Sequence, residues 1–445
     1  MKRRVVGWSR TSGTNRPLDA TAHRDVLVAL SGLLLASFVA SMGNTIVSTA
    51  LPEIARDLDA GQTAYGWVMT ATLLSLTLTT PLWGALADRF DRKLLVQISL
   101  AGYTLGSMVA GLSSSIEMLL VCRVFMGVAV GGVVTLVQAI LAELVPPREQ
   151  GRYAGYLTAV FGAGTISGPL LGGLVTEAFG WRWCFYLGAP LALASLAVLQ
   201  ATLHLSAPAG SGRTLDWRAA LLIGGGTRTV LGSRAARLGL VAGLAVGAVL
   251  FASTVYLSQY MQVARSYSPA ASGLLTVPLV AGVVWASTAG GRRTTRTGHY
   301  RDQMLAGAAL MTVGLALMGL AGASTNLVEL AAFTTLIGVG VGVLLHALVV
   351  VVQNAAGDDA IGRAASLALF VRTLGGAIAV TALGALIASQ TGPTLSAGAE
   401  TADAIGLAFL VLSAAGVIAT AAVWALPELP LRTRPHIDAA SATYE

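Results

Sequence analysis

The sequence predicts an all-α polytopic membrane protein whose twelve spans form two pseudo-symmetric six-helix bundles. Three observations carry that expectation. Apolar residues make up 55% of the 445 positions and charged residues only 11%, against roughly 25% charged in a soluble domain. Stretches of about 20 apolar residues, enough to cross a bilayer, recur along the whole chain. The basic residues gather in alternate loops, as they do when Lys and Arg stay on the cytoplasmic side.

Taken in order, the apolar runs place spans at roughly 26–51, 65–87, 94–114, 117–142, 153–178, 182–204, 238–263, 271–290, 303–322, 327–352, 361–389 and 404–427. In lipid such segments must be helical, because every backbone polar group has to be satisfied within its own segment. With the N-terminus inside, 23 of the 28 Lys and Arg residues fall in cytoplasmic segments and three (Arg56, Arg182, Arg265) outside, while Arg123 and Arg372 lie within spans. The expected organisation is a cytoplasmic tail over 1–25, a bundle over 26–204, a cytoplasmic linker over 205–237, a second bundle over 238–427 and a cytoplasmic tail over 428–445. The apolar run Ala219 to Gly226 in the linker is too short to cross. No cleavable leader is expected, since the segment before Val26 opens into a full-length span.

The net charge of +7 is explained by the loop bias rather than by nucleic acid. Cys122 and Cys184 are expected as free buried thiols. Neither a metal site nor a cofactor is expected, no enzyme site is apparent in the sequence, and the absence of a P-loop speaks against ATP-driven transport.

Four motifs carry more specific information. After span 2 comes Gly84-Ala-Leu-Ala-Asp88-Arg89-Phe-Asp91-Arg92-Lys93. A weaker copy, Gly291 to Tyr300, follows span 8 at a shift that aligns Gly84 with Gly291 and Arg89 with Arg296. Asp88 beside Arg89, Arg92 and Lys93 can latch a helix end across the bundle interface, or be an ordinary solvated loop charge. Span 4 carries Leu120 to Gly127 with Arg123 about 9 Å deep, where an arginine is costly and marks a functional site by default; the bland reading is a snorkelling arginine. Span 5 carries Gly164-Thr-Ile-Ser-Gly168-Pro169-Leu-Leu-Gly172-Gly173, whose small residues on one face allow close helix approach. Span 1 carries a polar stripe, Ser37, Ser41, Asn44, Thr45 and Ser48, which faces a cavity or another helix.

These motifs, with Thr45 to Pro52, Tyr256 to Gln262, Ser268 to Pro278, Gln353-Asn354 and Phe370 to Gly376, resemble the drug:proton antiporter branch of the major facilitator superfamily, in particular its fourteen-span family. The resemblance covers nearly the whole chain. It implies the major facilitator fold and a secondary exporter of small amphiphilic compounds in a bacterial plasma membrane, acting as a monomer by alternating access with protons as coupling ion. The alternatives are a facilitator for a sugar, an anion or an amino acid, or a non-transporting sensor.

Ser41, Asn44, Thr45, Arg123, Gln138, Tyr256, Gln259 and Arg372 are the expected cavity residues, although Tyr256 and Gln259 fit an interfacial belt as well. Gly84, Asp88, Arg89 and Arg92 form the gating loop, and Gly164, Gly168, Pro169, Gly172 and Gly173 the antiporter helix. Glu53, Glu143 and His346 are candidate proton sites, because none of the 21 acidic residues lies deep in a span. Gly43 stands where the family often has an Asp, Asp91 where it usually has Gly, and the two central helices of the fourteen-span family are missing. The lack of a deep carboxylate predicts a preference for neutral or anionic amphiphiles over permanent cations.

Overall fold

The computed structural model describes residues 20–87, 89–145, 150–203, 231–297, 300–322, 324–355, 361–391 and 398–427. Among them are twelve α-helices. In the first half these are α1 (Ala20–Asp57), α2 (Gln62–Ala87), α3 (Arg92–Gly111), α4 (Ile116–Leu144), α5 (Gln150–Phe179) and α6 (Arg182–Thr202). In the second they are α7 (Arg234–Gln259), α8 (Pro269–Thr297), α9 (Arg301–Gly319), α10 (Leu327–Ala355), α11 (Ile361–Thr391) and α12 (Ala399–Trp424). A π-helical turn, Tyr260–Ala264, extends α7. Asp88 and residues 204–230, which hold most of the expected linker, lie outside the described residues.

Among the described residues, ten of these helices are long and apolar enough to cross a membrane. Several helices outrun the predicted spans. α1 continues through Pro52 to Asp57 rather than ending at Leu51, because a helix tolerates one lost backbone donor where its end leaves the hydrocarbon. Asp91 has a local purpose: its carboxylate caps α3, accepting from the Lys93 amide at 2.7 Å and satisfying one orphan donor of the first turn. Ser115 caps α4 in the same way.

The two halves repeat one packing scheme. α1 packs on α4, α5 and α6, and α7 on α10, α11 and α12; α4 packs on α2 and α3, and α10 on α8 and α9. α3 meets α6 as α9 meets α12. The halves join through α2 on α11 and α5 on α8. Each of those four helices lies in one half and packs against the other.

Alternating helix direction puts both described ends on one face, here called the terminal face. Arg301 at the start of α9 bonds the Trp424 carbonyl at the end of α12 (2.6 Å), and Arg92 at the start of α3 pairs with Glu143 at the end of α4 (2.8 Å). The opposite, distal face carries Asp57, which accepts from Trp181 Nε1 (2.9 Å) and pairs with Arg182 (2.7 Å), tying α1 to α6.

Candidate functional site

The site is built from helices that approach unusually closely. An added Cβ at Gly164 would overlap Ser41 Oγ, one at Gly168 would overlap Thr45 Oγ1, and one at Gly172 would stand 2.6 Å from the Ile46 carbonyl oxygen. The glycine face of α5 is therefore the groove into which α1 fits. The next glycine crosses to the other half. A Cβ at Gly173 would overlap the Pro269 carbonyl oxygen on α8, and one at Gly273 would overlap the Pro169 carbonyl oxygen on α5. Backbone meets backbone in both directions, an approach that only small residues permit.

This seam corrects the reading of the span 1 stripe as cavity lining. Ser41 donates to the Phe38 carbonyl (3.0 Å) and Thr45 to the Ser41 and Met42 carbonyls (3.1 and 3.2 Å). Both hydroxyls are satisfied within α1 and face α5. Asn44, one position off that seam, is half-buried, and its Oδ1 has no partner among the described residues.

Distal to the seam, amides and hydroxyls close the gap between the halves. Gln259 at the end of α7 and Gln62 at the start of α2 bond reciprocally, Nε2 to Oε1 at 2.5 Å and 3.3 Å. Gln262 donates to the Thr49 carbonyl (2.7 Å), and Tyr65 to the Val255 carbonyl (3.4 Å). Thr70 pairs with Thr381 (3.0 Å) and, at mid-height, Thr77 with Thr373 (2.7 Å), both between α2 and α11. Glu177 on α5 accepts from the Ala270 amide at the start of α8 (3.2 Å), a carboxylate at the positive end of a helix. Tyr256 bonds the Val380 carbonyl within its own half. Tyr256 and Gln259 are 1% and 0% exposed, so neither lies in an interfacial belt, and Gln259 belongs to this closure.

Arg123 is 1% exposed on α4. It donates from Nε to the Val68 carbonyl of α2 (3.2 Å) and lies against Met69 Sδ (3.7 Å), with no acidic partner among the described residues. The space at Gly43 is filled: a Cβ there would overlap the Tyr103 hydroxyl. A phenol from α3 thus occupies the place of the side chain that position 43 lacks. Arg372 on α11 is half-buried, and its Nε is buried without a partner among the described residues.

At the terminal face, Arg92 and Glu143, expected in different roles, form one ion pair, and Arg92 Nε also holds the Ala87 carbonyl (3.1 Å). Gly84 faces Thr135 of α4 with room for a methyl group, the nearest atom being 3.9 Å from an added Cβ. Arg89 follows directly on α2, its amide bonded to the Leu86 carbonyl. Gln138 is exposed on α4 and Glu53 half-buried near the distal end of α1. His346 lies on α10 with its side chain outside the described set, and the expected latch, Asp88, lies outside it altogether.

Two inverted-direction crossings between six-helix halves, with the glycine motif on α5 at one of them, set the frame for comparison. The profile of the Major Facilitator Superfamily matches residues 33–380. The chain belongs to the major facilitator superfamily. An uncharacterized MFS-type transporter of Mycobacterium tuberculosis is 31% identical over 441 residues, covering 87% of this chain and 64% of that relative. The chain thus spans less than two thirds of that relative's length. The efflux pump dotC of Dothistroma septosporum is 29% identical over 420 residues, 82% of this chain and 72% of that pump. A crystal structure of a bacterial homolog of the human lysosomal transporter Spinster, inward-facing and unoccupied, superposes with a TM-score of 0.75 at 14% identity over 92% of this chain and 97% of that one. At that identity the likeness shows the fold alone.

In this superfamily member the residues that sequence reasoning missed are Gln62, Tyr65, Gln262 and Tyr103. The first three sit at span ends and read as loop-proximal polar residues. An amide or phenol at the edge of an apolar run gives no sign that its partner is some 190 positions away. The Tyr103 hydroxyl at Gly43 had one sequence signal, the vacancy at position 43, but nothing to say which helix fills it.

Proposed function

We propose that this chain is a secondary active exporter of small amphiphilic molecules that works by alternating access. In this reading the structure is the state closed on the distal face, and the distal face is the cell exterior. The observation that carries the proposal is the α5 seam. One glycine-proline helix packs backbone to backbone on α1 within its half and on α8 across the halves, beside the hydrogen-bonded closure. Such a helix couples a cavity wall to the contact that must open. Relatives bearing the name efflux pump and the charge bias of the loops support direction and orientation.

Neutral or anionic amphiphiles are the favoured substrates, because Arg123 is a buried cation, Arg372 a half-buried one, and no Asp or Glu lies deep in a span. Proton coupling, if this exporter uses it, falls to boundary groups: Glu53, Asp88, Glu143 or His346. The test is expression in an efflux-deficient bacterium against a panel of toxic neutral, anionic and cationic amphiphiles, followed by vesicle export with and without an imposed pH gradient. Resistance to neutral and anionic members is expected, abolished by Gly168→Leu at equal membrane abundance. PH-driven export of a quaternary cation with none of an anionic dye would overturn the charge preference. No export of any class would overturn the exporter reading.

A further inference from the structure

Arg372 enters the exporter reading only as a charge, yet it also lines a space of its own. A small cavity of about 20 Å³ lies between α7, α10 and α11, lined by Gly239, Gly243, Val246, Leu345, Leu348 and Arg372 among others. About 10–15 Å³ on the same measure holds one water, so the space suits a single small species. Except for the guanidinium, every side chain named here is apolar or absent.

A Cβ at Gly247 would overlap the Arg372 carbonyl oxygen, and one at Gly375 would overlap the Leu244 carbonyl oxygen. α7 and α11 are thus in backbone contact one turn from Gly243, which lines the same cavity as Arg372. An added Cβ at Gly243 would meet nothing within 4 Å.

No acid of the surrounding helices can neutralise this cation. α7, α11 and α2 contain no Asp or Glu. The one acid on α10, Glu329, lies in its first turn at the distal end, about 28 Å along the helix from Leu348. On α12, Glu400 and Asp403 also lie at the distal end. Arg372 itself stands about 16 Å along α11 from Ile361. A cation at that depth without a partner is costly, and its guanidinium donors are suited to halides and carboxylates.

We propose that Arg372 and this cavity form a binding site for one compact monoanion, either a free halide or the carboxylate of a transported molecule. The carboxylate source rests on the exporter reading; the halide source does not. Gly243 is the second element of the site, because it lines the cavity and a branched side chain there enters space now open.

The test uses the purified full chain in detergent, with sodium chloride or sodium acetate titrated against sodium gluconate at constant ionic strength and the unfolding midpoint as readout. A species that binds only the folded chain raises the midpoint by mass action. A saturable rise of about 2 °C is expected at ten dissociation constants. It should vanish in Gly243→Val and in Arg372→Gln and persist in Arg372→Lys. Gly243→Val should melt like the wild type in gluconate, since it enters open space; if it does not, Gly243→Ala replaces it. A chloride response without an acetate response assigns the halide, and the reverse assigns the carboxylate. The proposal is overturned if neither anion shifts the wild type, or if Gly243→Val and Arg372→Gln shift as the wild type does. Because the readout is binding, a failed export assay leaves this result standing, and a failed titration leaves the exporter reading standing.

Discussion

Replacing one glutamine of the distal closure should open it. Gln62 and Gln259 are 1% and 0% exposed and bond each other in both directions. In Gln62→Met the shape is nearly kept, but the Gln259 amide is left buried without a partner. A stranded buried polar group costs about 1–3 kcal/mol. The cost falls only on the distally closed state, because opening that face returns the amide to water. The ratio of open to closed molecules should then rise by about 5- to 150-fold. Gln259→Met should act alike. The double variant should fall back toward the parent, since replacing both partners with apolar groups of similar shape is nearly neutral.

The assay is the labelling rate of a cysteine at Thr70, two turns beyond Gln62 on α2, by a membrane-impermeant thiol reagent added from the distal side; the bond of Thr70 to Thr381 is lost equally in parent and variants. The background removes Cys122 and Cys184, both buried. Equal labelling in parent and single variants would refute the reasoning, as would a double variant in which the two effects add. The pair carries no charge, so its own effect on opening should be insensitive to salt, unlike the contact of the exposed Glu177 carboxylate with the start of α8.

Three further predictions follow the same geometry. Gly168→Leu should lower stability in detergent by about 1–3 kcal/mol through overpacking on Thr45, while Gly84→Ala should change it by less than about 0.5 kcal/mol; equal midpoints for the two variants would refute the seam. Asp88→Asn should insert normally yet lower the transport rate by shifting the balance between access states, and a wild-type rate would make Asp88 a solvated loop charge. Cysteines at Ser211 and Ser266 should react from opposite sides of the membrane, and labelling of both from one side would contradict the orientation.

The fold was legible because its signal is local. Each apolar run and each charged loop can be read within about 20 residues, and the twelve helices fall on the twelve runs. Helix ends were less legible, since Pro52 reads as a stop although α1 passes through it. The α5 motif was legible as a seam, but not its occupants. Gly164 and Gly168 were expected to permit close approach, and the side chains that approach, Ser41 and Thr45, were assigned to the cavity instead. A polar stripe on a membrane helix reads the same whether its hydroxyls face water or bond their own carbonyls. The pairing of Gln62 with Gln259 was beyond reach because it joins two halves, and only the packing of α2 and α7 at the distal face brings the amides together.

The crossing of α5 and α8 bears on how fast such a molecule can cycle. At Gly173 and Gly273 each helix presents bare backbone to a carbonyl of the other. A contact of this kind has no interlocked rotamers to release before it can slide, so it behaves as a low-friction bearing rather than a catch. On the exporter reading proposed above, the activation barrier of the closed-to-open transition then resides in the amides and hydroxyls that must separate, and the temperature dependence of turnover would report on Gln62 and Gln259 rather than on the helices that rock.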